Sequence, residues 1–321
     1  MDKLIKEIIP KVTIGIPTYN RKKYLKEALD SIVKQDYPNI EIIVSDNASQ
    51  DGTESFMQEY MSLNAGINLV YLRNDCNLGP SANWQNCIDN AKGEYCLILS
   101  DDDVLTDGAV KKMVTAFNSD VVIVIGNTQY IDANGKIFGK HCNPAVTLDC
   151  TGFWEARLKK GFHDTPSAVM YRTKLGQDYF KKLPKDNSAL DMALDLMMSE
   201  CGKVVCLSDF VVKYRIHAGN DTNNIYRCAS SHKYLYDYFL KGNYSLEKME
   251  WLKDYCRNNI LGAAFLVLRK NFDINLARRL LDLLPEGLSS SWLMIYWQFC
   301  LYIIKSPFRK IKRMFLQRLL E

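Results

Sequence analysis

Polar side chains follow four of the apolar segments in the first third of the chain, at points where a plain core strand would need none. They occupy residues 17–20, 45–53, 73–79 and 100–103. Any one of these clusters is typical of a turn or a helix cap. In a parallel sheet, however, the carboxyl ends of the strands meet at one edge, and ligands bind beyond that edge. Together the four clusters therefore predict a ligand site.

Asp101, Asp102 and Asp103 are the most informative of these residues. Three adjacent carboxylates repel one another, so they destabilise the end of a buried strand unless a cation neutralises them. In an extended segment the side chains alternate, which would turn Asp101 and Asp103 to one side and Asp102 to the other. Carboxylate oxygens suit a hard divalent ion that keeps positions for water and substrate phosphates. The alternative is a solvated acidic loop that caps the helix at Gly108.

The elements that would position these residues alternate between strand and helix. Short segments rich in Val, Ile and Leu predict buried strands at residues 12–16, 40–45, 68–72, 95–99 and 121–125. Amphipathic segments between them predict helices at residues 21–35, 53–63, 80–91 and 108–118. Asn20 and Asp51 are the predicted N-caps of the first two helices. This order predicts an α/β fold with a mostly parallel sheet and helices on both faces.

The pattern changes in the second half of the chain. A hairpin is predicted around residues 132–135, a helix at 190–201, and strands at 203–207 and 210–216. After Tyr226 almost every segment is typical of a helix. We therefore expect a domain boundary near residue 226.

In combination, the four clusters give the chain a resemblance to the family 2 glycosyltransferases. The resemblance covers about residues 10–220, and its segments follow the family's order: Ile14-Gly15-Ile16-Pro17-Thr18-Tyr19-Asn20, Asp46-Asn47-Ala48-Ser49, Asn77-Leu78-Gly79 and the aspartate triplet. It implies the GT-A fold, a Rossmann-like, mostly parallel sheet flanked by helices and followed here by a helical C-terminal extension. It also implies an inverting, single displacement from a nucleotide-sugar, by preference a UDP-sugar, assisted by Mn²⁺ or Mg²⁺.

The same resemblance assigns parts of the chain to the two substrates. It implies a GT-A domain at residues 1–226, with a nucleotide-sugar half at about 10–126 and an acceptor half at about 127–226. Residues 227–321 then form the helical extension.

The resemblance also implies roles for individual residues. Thr18 would line the nucleotide pocket, Asp46 would hydrogen-bond the base, and Arg73 would lie beside the uracil ring. Asp101 would face the ribose, and Asp103 would bind the metal that bridges the diphosphate. The remaining nucleotide-binding residues implied by the resemblance are Pro17, Tyr19, Asn20, Asn47, Gly79 and Asp102. The implied metal ligands are Asp103, Asp101 and His217.

Asp191 is the catalytic base that the resemblance implies. In the family, the helix that carries the base opens with an acidic pair, and Asp191 matches the second member of that pair. Leu190 stands at the first position, so the chain lacks a neighbouring charge that could raise the pKa of the base. Asp195, one turn further along the same helix face, is the alternative base. Alternatively, Asp191 is a first-turn acid that the helix dipole stabilises.

His217 follows Tyr214, Arg215 and Ile216, a segment similar to the Tyr-Arg-x-His sequence whose histidine completes the metal shell in the family. A single histidine is more often structural than a ligand. The position of His217 within the resemblance is the reason to assign it to the metal.

Charge and cysteine usage exclude several classes of protein. The formal net charge of +4 is too small to indicate a nucleic-acid partner. The ten cysteines include no CxxC pair or zinc-finger spacing, and several lie in apolar segments, which favours buried thiols in a reducing compartment. No apolar signal core precedes Pro10, and no segment reaches about 18 uncharged apolar residues. We therefore expect a cytoplasmic protein.

The C-terminal residues are apolar and then basic. Residues 292–304 are rich in aromatic and aliphatic side chains, and residues 305–321 carry six basic residues and one acidic residue. An aromatic-rich helix that leads into a basic amphipathic one is typical of a peripheral helix in a membrane interface. We therefore expect peripheral contact with the inner face of the membrane through residues 292–320. The alternative is a buried helix with a solvated tail.

Three further interpretations bear on the function. The chain lacks the Gln-x-x-Arg-Trp segment and the spanning helices of processive synthases, which favours addition of one sugar to a lipid-linked or surface glycan. A nucleotidyltransferase would show a glycine-rich basic loop after the first strand, and residues 17–20 are not such a loop. A non-catalytic scaffold that binds nucleotide or glycan at the membrane is the alternative from a different class, and Leu190 is the feature that favours it.

Overall fold

Apolar segments rich in Val and Ile pair into one large sheet. The computed structural model of the chain describes residues 9–183, 190–220, 224–271 and 273–284. The strands are β1 (Val12–Thr18), β2 (Ile40–Asp46), β3 (Leu69–Arg73), β4 (Tyr95–Ile98), β5 (Val104–Leu105), β6 (Val121–Ile131), β7 (Ile137–His141), β8 (Val146–Leu148), β9 (Val169–Arg172) and β10 (Lys203–Arg215). The α-helices are α1 (Lys22–Val33), α2 (Thr53–Leu63), α3 (Pro80–Asn90), α4 (Ala109–Thr115), α5 (Cys150–Lys159), α6 (Thr173–Phe180), α7 (Leu190–Met198), α8 (Ile225–Phe239), α9 (Leu246–Asn271) and α10 (Ile274–Leu281). Short 3₁₀ turns lie at Pro166–Ala168 and Ser199–Cys201.

The sheet has the spatial order β3-β2-β1-β4-β9-β6-β10-β5, with β7 beside β6 and β8 beside β10. Strands β3, β2, β1 and β4 are mutually parallel, and so are β6 and β10. Strand β9 runs antiparallel between β4 and β6. The predicted α/β sheet flanked by helices is confirmed. Its parallel half brings the carboxyl ends of β1, β2 and β4 to one edge.

The core lies between this sheet and its helices. Ile14 and Ile16 of β1, Ile42 and Val44 of β2, and Leu29 of α1 are all buried. Since helices cover both faces of a parallel sheet, its strands carry continuous apolar segments rather than alternating ones. Each such side chain stabilises the fold by roughly 1.5–3 kcal/mol on burial, so the strands that carry the edge are firmly packed.

Two sequence predictions about the elements need correction. The segment from Lys203 to Arg215 is one strand rather than two, because its pairing with β6 shifts register between Cys206 and Phe210 instead of ending. Such a shift is a β-bulge, which bends a strand without terminating it. Strand β6 likewise continues to Ile131, beyond the predicted end at residue 125.

The predicted N-caps also differ from the observed ones. Asn20 does not cap α1: its backbone is left-handed, with φ of 54°, and its side-chain oxygen accepts a hydrogen bond from the backbone of Gln50. Asp51 instead accepts from the backbone N–H of both Lys22 and Thr53, at 2.9 and 3.2 Å. One carboxylate therefore supports the first turns of both α1 and α2.

The contacts between Cα atoms divide the chain into two compact units, Met1–Asn220 and Asp221–Glu321. In the described part of the second unit, α8, α9 and α10 pack around the small and aliphatic residues Ala229, Ile260, Ala264, Ala277 and Leu280. Every helix in the described part of the chain is too short or too polar to span a bilayer. Residues 292–320, for which membrane contact is predicted, lie outside the described residues.

Candidate active site

The polar clusters meet at the carboxyl edge of the parallel strands. The hydroxyl of Thr18, at the end of β1, donates to Oδ2 of Asp101 at 2.7 Å, just beyond β4. Asn83 of α3 donates to the carbonyl of Thr18 and accepts from the hydroxyl of Ser45 on β2. Because these hydrogen bonds join three strand ends and a helix, the edge is one connected network of buried polar groups.

The three consecutive aspartates do not alternate as an extended strand would require. Strand β4 ends at Ile98, and the backbone N–H of Asp103 donates to the carbonyl of Ser100, which closes a turn. As a result, Asp101 and Asp102 share the guanidinium of Arg21, and Asp103 faces a different set of groups.

Asp103 is fully buried, and protein donors occupy both of its carboxylate oxygens. Oδ1 accepts from the backbone N–H of Arg215 at 2.9 Å, and Oδ2 accepts from the hydroxyl of Ser167 at 2.6 Å. Burial, followed by the charge of Asp102, raises the pKa of Asp103 well above its ordinary value. Asp103 therefore ties the end of β10 to the 3₁₀ turn that carries Ser167. Its role as a metal ligand stays a prediction.

Asp102 and His217 form the pair with ligand chemistry. Oδ2 of Asp102 lies 2.9 Å from Nε2 of His217 and accepts from Nη1 of Arg21 at 2.7 Å. The same Nη1 lies 3.1 Å from Oδ1 of Asp101, and Nη2 of Arg21 donates to the carbonyl of Gly219 at 2.8 Å. Burial raises the pKa of Asp101 to about 7, and the charge of Arg21 opposes that rise.

The tautomer of His217 follows from its second nitrogen. The backbone N–H of Gly219 donates to Nδ1 at 3.1 Å, so Nδ1 carries no proton. Nε2 then carries the hydrogen and donates it to Asp102. The ring packs on Tyr24, with ring centroids 5.0 Å apart.

A divalent ion is the cofactor that the resemblance implies, and these donors suit one. Two neighbouring ligands of an ion with bonds of about 2.0–2.2 Å lie roughly 3 Å apart, close to the 2.9 Å between Asp102 and His217. Within the described residues, no group of three His, Cys, Asp or Glu side chains is arranged to hold a metal. Ions such as Mg²⁺ bind through one or two protein ligands, water and substrate phosphates. Asp102 and His217 are the side chains that would hold such an ion, once Nε2 of His217 no longer carries its hydrogen.

The predicted base contact, Asp46, is fully buried at the end of β2. Its Oδ1 accepts from the backbone of Ser49 at 2.9 Å, and its Oδ2 accepts from the hydroxyl of Tyr71 at 2.6 Å. Burial and this hydrogen bond raise the pKa of Tyr71. Asn47 next to it bonds Asn74, Asn77 and the backbone of Leu78. Both side chains thus fix the loops that border the edge.

Other predicted nucleotide residues are accessible at the same edge. Tyr19 is 43% exposed, Asn20 is exposed, and Pro17 is half-buried. Arg73 is exposed, with its Nε 3.3 Å from Glu54 and 3.6 Å from Asp46. Gly79, the N-cap of α3, has φ of 85°, a conformation that favours glycine. Tyr19, Asn20 and Arg73 are therefore the predicted nucleotide residues that are open to solvent.

The predicted base, Asp191, lies at the first turn of α7 and is partly buried. Burial is the main cause that raises its pKa, and the charge of Asp164 adds to it. The alternative base, Asp195, is 1% exposed and accepts a hydrogen bond from the hydroxyl of Tyr171 at 2.8 Å. Asp195 is therefore sealed from solvent, whereas Asp191 is partly exposed.

Asp164 is a buried carboxylate that the sequence analysis did not identify. Its Oδ1 accepts from Nη2 of Arg157 at 2.8 Å, and its Oδ2 has no hydrogen-bond partner among the described residues. The charge of Asp164 raises the pKa of both Asp191 and Asp195. The chain thus supplies, from a distant loop, a negative charge of the kind that Leu190 does not provide.

Arginine residues are the other functional groups that the sequence analysis missed. Arg21 directly follows the Thr18-Tyr19-Asn20 segment, and that position was the available signal. Arg215 is 1% exposed, donates its Nε to the carbonyl of Asp102 and pairs with Glu27. Arg215 therefore stabilises the aspartate turn through its backbone.

The comparison with protein families gives one match that covers more than half of the chain. The model described as Glycosyl transferase family 2 matches residues 13–180. This range contains the Thr18, Asp46 and Asp101–Asp103 clusters of the carboxyl edge.

Two curated relatives are similar over the first part of the chain. An abequosyltransferase, RfbV, of Salmonella typhimurium is 40% identical over 116 residues, which cover 36% of this chain and 34% of the relative. A GalNAc(5)-diNAcBac-PP-undecaprenol beta-1,3-glucosyltransferase of Campylobacter jejuni is 37% identical over 119 residues, which cover 37% of this chain and 38% of the relative. The chain thus spans about a third of the length of these relatives.

Two solved structures share the fold over most of the chain. The S. aureus TarS fragment 1-349 in complex with UDP-GlcNAc has a TM-score of 0.66 and 19% identity, and it covers 87% of this chain and 83% of its own. The mannosyltransferase PcManGT of Pyrobaculum calidifontis, in complex with GDP-Man and Mn²⁺, has a TM-score of 0.62 and 17% identity, and it covers 95% of this chain and 83% of its own. The likeness shows that the sheet and its flanking helices form the GT-A fold.

Proposed function

The chain belongs to glycosyl transferase family 2, and from this premise we propose that it is an inverting enzyme that transfers one sugar from a UDP-sugar to an acceptor hydroxyl. The observation that carries the proposal is the connected network at the carboxyl edge. Thr18, Asp101, Arg21, Asp102 and His217 form it within hydrogen-bond distance. Acidic, basic and imidazole groups at one edge suit the diphosphate of a sugar nucleotide and a divalent ion.

The donor would bind along the exposed part of that edge. The base would lie beside Tyr19 and Arg73, since an aromatic ring and a guanidinium both stack on a planar base. Asp46 and Asn47 would hold the loops that shape this pocket, and Asp101 would face the ribose. The choice of a UDP-sugar is supported by the TarS fragment, which has the same fold and is described in complex with UDP-GlcNAc.

Asp102 and His217 are the proposed metal ligands, with Asp101 beside them. Asp103, the ligand that the resemblance implies, accepts one hydrogen bond at each oxygen, from Ser167 and from the backbone of Arg215. We therefore propose Asp102, which faces His217, as the first ligand. When bound, the ion would act as a Lewis acid toward the departing diphosphate. The Mn²⁺ in the described PcManGT complex supports a metal in this fold.

Asp191 would act as the general base. Its carboxylate would take the proton of the acceptor hydroxyl as that oxygen bonds to the anomeric carbon. The bond from the anomeric carbon to the phosphate oxygen would break on the opposite face, and the nucleoside diphosphate would leave with the electron pair. A displacement from the opposite face inverts the configuration. The raised pKa of Asp191 suits this role, since it brings the group nearer to the pH at which a base is needed.

The acceptor is proposed to be a lipid-linked or surface glycan. The description of the Campylobacter jejuni relative names an undecaprenol-linked glycan. Residues 292–320 have the composition of a membrane-interface helix. In this proposal, residues 1–226 form the catalytic domain at the inner face of the membrane, and residues 227–321 form the helical extension.

The test combines nucleotide binding with turnover. We expect calorimetry to show UDP binding that requires Mn²⁺, and a panel of UDP-sugars to show Mn²⁺-dependent release of UDP. Asp191→Asn should keep UDP binding but lose on the order of 10²–10⁴-fold in transfer, the usual contribution of a positioned base. Asp178→Asn makes the same change at an exposed carboxylate of α6 and should retain full activity.

Three outcomes would count against the proposal. Full transfer by Asp191→Asn would show that Asp191 is not the general base. UDP binding by the wild type without turnover of any sugar would indicate a scaffold. Release of pyrophosphate from a nucleoside triphosphate would indicate a nucleotidyltransferase.

A further inference from the structure

Arg21 occupies the position at the carboxyl edge where a cation is needed. Its Nη1 lies 2.7 Å from Oδ2 of Asp102 and 3.1 Å from Oδ1 of Asp101, and both carboxylates are 4% exposed. Its Nη2 donates to the carbonyl of Gly219 at 2.8 Å. One guanidinium therefore joins the first helix, the aspartate turn and the loop at residues 217–220.

A guanidinium and a divalent ion compete for the same oxygen. Oδ2 of Asp102 accepts from Arg21 and also faces Nε2 of His217, so an ion held by that oxygen and that nitrogen would lie next to a positive charge. Arginine has five donors and no acceptor, so it cannot become a ligand itself. At these short separations in a largely buried site, like charges repel strongly.

The loop at residues 217–220 is held in the arrangement that suits Arg21. Gly219 offers its carbonyl to Arg21 and its N–H to Nδ1 of His217. The backbone of His217 donates to Oδ1 of Asn220, and Asn220 donates to the carbonyl of Arg215. With Nδ1 accepting a hydrogen bond, Nε2 of His217 carries a hydrogen and offers no lone pair to an ion. The loop must shift before His217 can act as a ligand.

We propose that Arg21 is a diphosphate-binding residue that serves as the counter-ion of Asp101 and Asp102 until the nucleotide arrives. The inference rests on the proposed function, since it assigns a further residue to the same donor site. When a nucleoside diphosphate enters, its oxygens accept from the planar guanidinium, which matches them in a bidentate geometry. Arg21 then leaves the two carboxylates and the carbonyl of Gly219. The loop is released, and Asp102 and His217 become available to the ion.

This exchange of partners makes the metal and the nucleotide bind cooperatively. Neither ligand can replace Arg21 alone. The ion alone would be repelled by the positive charge of Arg21. The diphosphate alone would draw Arg21 away and leave the carboxylates of Asp101 and Asp102 without a counter-charge. By linkage, each ligand must raise the affinity for the other by the same factor.

The first measurement uses the wild-type chain, with Mn²⁺ alone and UDP as the probes. Calorimetric titration with Mn²⁺ should show weak binding without UDP and binding tighter by on the order of 10-fold or more in its presence. If Mn²⁺ binds equally tightly with and without UDP, Arg21 does not control access to the site, and the inference is overturned.

The second measurement removes the charge of Arg21. Arg21→Gln should bind Mn²⁺ alone on the order of 10-fold more tightly than the wild type, because the competing charge is gone. The same variant should bind UDP in the presence of Mn²⁺ less tightly, because a diphosphate contact is lost. Lys22→Gln makes the same change in charge at the next residue, which is exposed, and should change neither affinity.

A third variant, Arg21→Lys, keeps the test valid if Arg21→Gln does not fold. Arg21→Lys keeps the charge but cannot reach two carboxylates and a carbonyl in a fork, so its affinity for Mn²⁺ alone should lie between those of the wild type and Arg21→Gln. Unchanged Mn²⁺ affinity in both Arg21 variants would overturn the inference while the proposed function stands. If the wild type binds neither Mn²⁺ nor UDP, the proposed donor site itself is contradicted.

Discussion

Asp101, Asp102 and Asp103 show how three identical side chains acquire three functions. The turn that follows β4 directs Asp101 to Thr18, Asp102 to His217 and Asp103 to Ser167. Because each oxygen of Asp103 accepts a hydrogen bond from the protein, its carboxylate contributes to the fold. Because Asp101 and Asp102 share one guanidinium, they remain able to exchange that partner for another cation. Function at the residue scale is thus decided by which donors lie nearby.

At the same scale, Asp164 is expected to set the pH dependence of the reaction. A base works when it is deprotonated, so the proposed role of Asp191 predicts that activity falls as the pH drops through its raised pKa. The charge of Asp164 contributes to the rise, and Arg157 opposes it. Asp164→Asn removes the negative charge and leaves Arg157, so the pKa of Asp191 should fall and the acidic limb of the kcat/KM profile should move to lower pH.

The comparison is a pair of pH profiles for Asp164→Asn and the wild type. Asp178→Asn removes an exposed carboxylate and should leave the acidic limb in place. An acidic limb that stays in place in Asp164→Asn, or moves to higher pH, would show that Asp164 does not act on the base.

Among the elements, strand β1 and helix α3 decide the position of the carboxyl edge. Strand β1 ends at Thr18, and α3 begins beside Gly79 and carries Asn83, which bonds the carbonyl of Thr18. The two elements approach closely at Gly15, where a Cβ atom would lie 2.6 Å from Cβ of Cys87 and 2.9 Å from Cδ1 of Ile98. Glycine at this position therefore permits the close packing that the site requires.

Gly15→Ala tests this packing. Since the added methyl group must displace α3 or β1, we expect the free energy of unfolding to fall by about 1–3 kcal/mol, the usual cost of overpacking a core. Displacement of α3 should also weaken Mn²⁺-dependent UDP binding. Chemical denaturation and calorimetry measure the two effects.

The matched control for Gly15→Ala is Gly66→Ala. Nothing lies within 4 Å of the Cβ that this change adds, and a more restricted unfolded chain makes such a substitution neutral or slightly stabilising. Equal stability of the two variants would contradict the close approach of β1 and α3.

For the whole molecule, the sheet unit and the helical unit have separate cores. The first buries the central strands against α1, α2 and α4, and the described part of the second buries Ala229, Ile260 and Leu280. Residues 292–320 are the part of the chain to which we assign contact with a membrane that carries the acceptor.

The membrane proposal predicts binding to anionic vesicles that depends on charge. Each basic side chain near such a surface contributes about 1 kcal/mol and is screened by salt. A full-length chain with four basic residues neutralised should therefore sediment much less with vesicles that contain phosphatidylglycerol. The four substitutions are Arg309→Gln, Lys310→Gln, Lys312→Gln and Arg313→Gln.

A control with the same loss of charge in the first unit should bind vesicles like the wild type. It carries substitutions at four exposed lysines, Lys159→Gln, Lys160→Gln, Lys174→Gln and Lys181→Gln. Equal sedimentation of both variants, or binding of the wild type that does not depend on anionic lipid, would contradict an electrostatic role of the C-terminal residues.

The sequence by itself determined the fold class and the edge of the sheet where the polar residues meet. Segments of Val and Ile, such as those at Ile14 and Ile42, encode buried parallel strands through local pattern. The direction of a parallel strand then fixes which of its ends carries Thr18 or Asp46. These properties depend on residues that are close in sequence, so a pattern can reveal them.

Only the tertiary structure decided which groups act together at that edge. Arg21 reaches Gly219 across 198 residues, Asp103 reaches Ser167 across 64, and no pattern predicts such pairs. Alternation failed at the aspartates because a turn replaced the strand after Ile98. Local pattern fixes where a side chain leaves the backbone, but its charge is balanced by groups that folding brings in from distant parts of the chain.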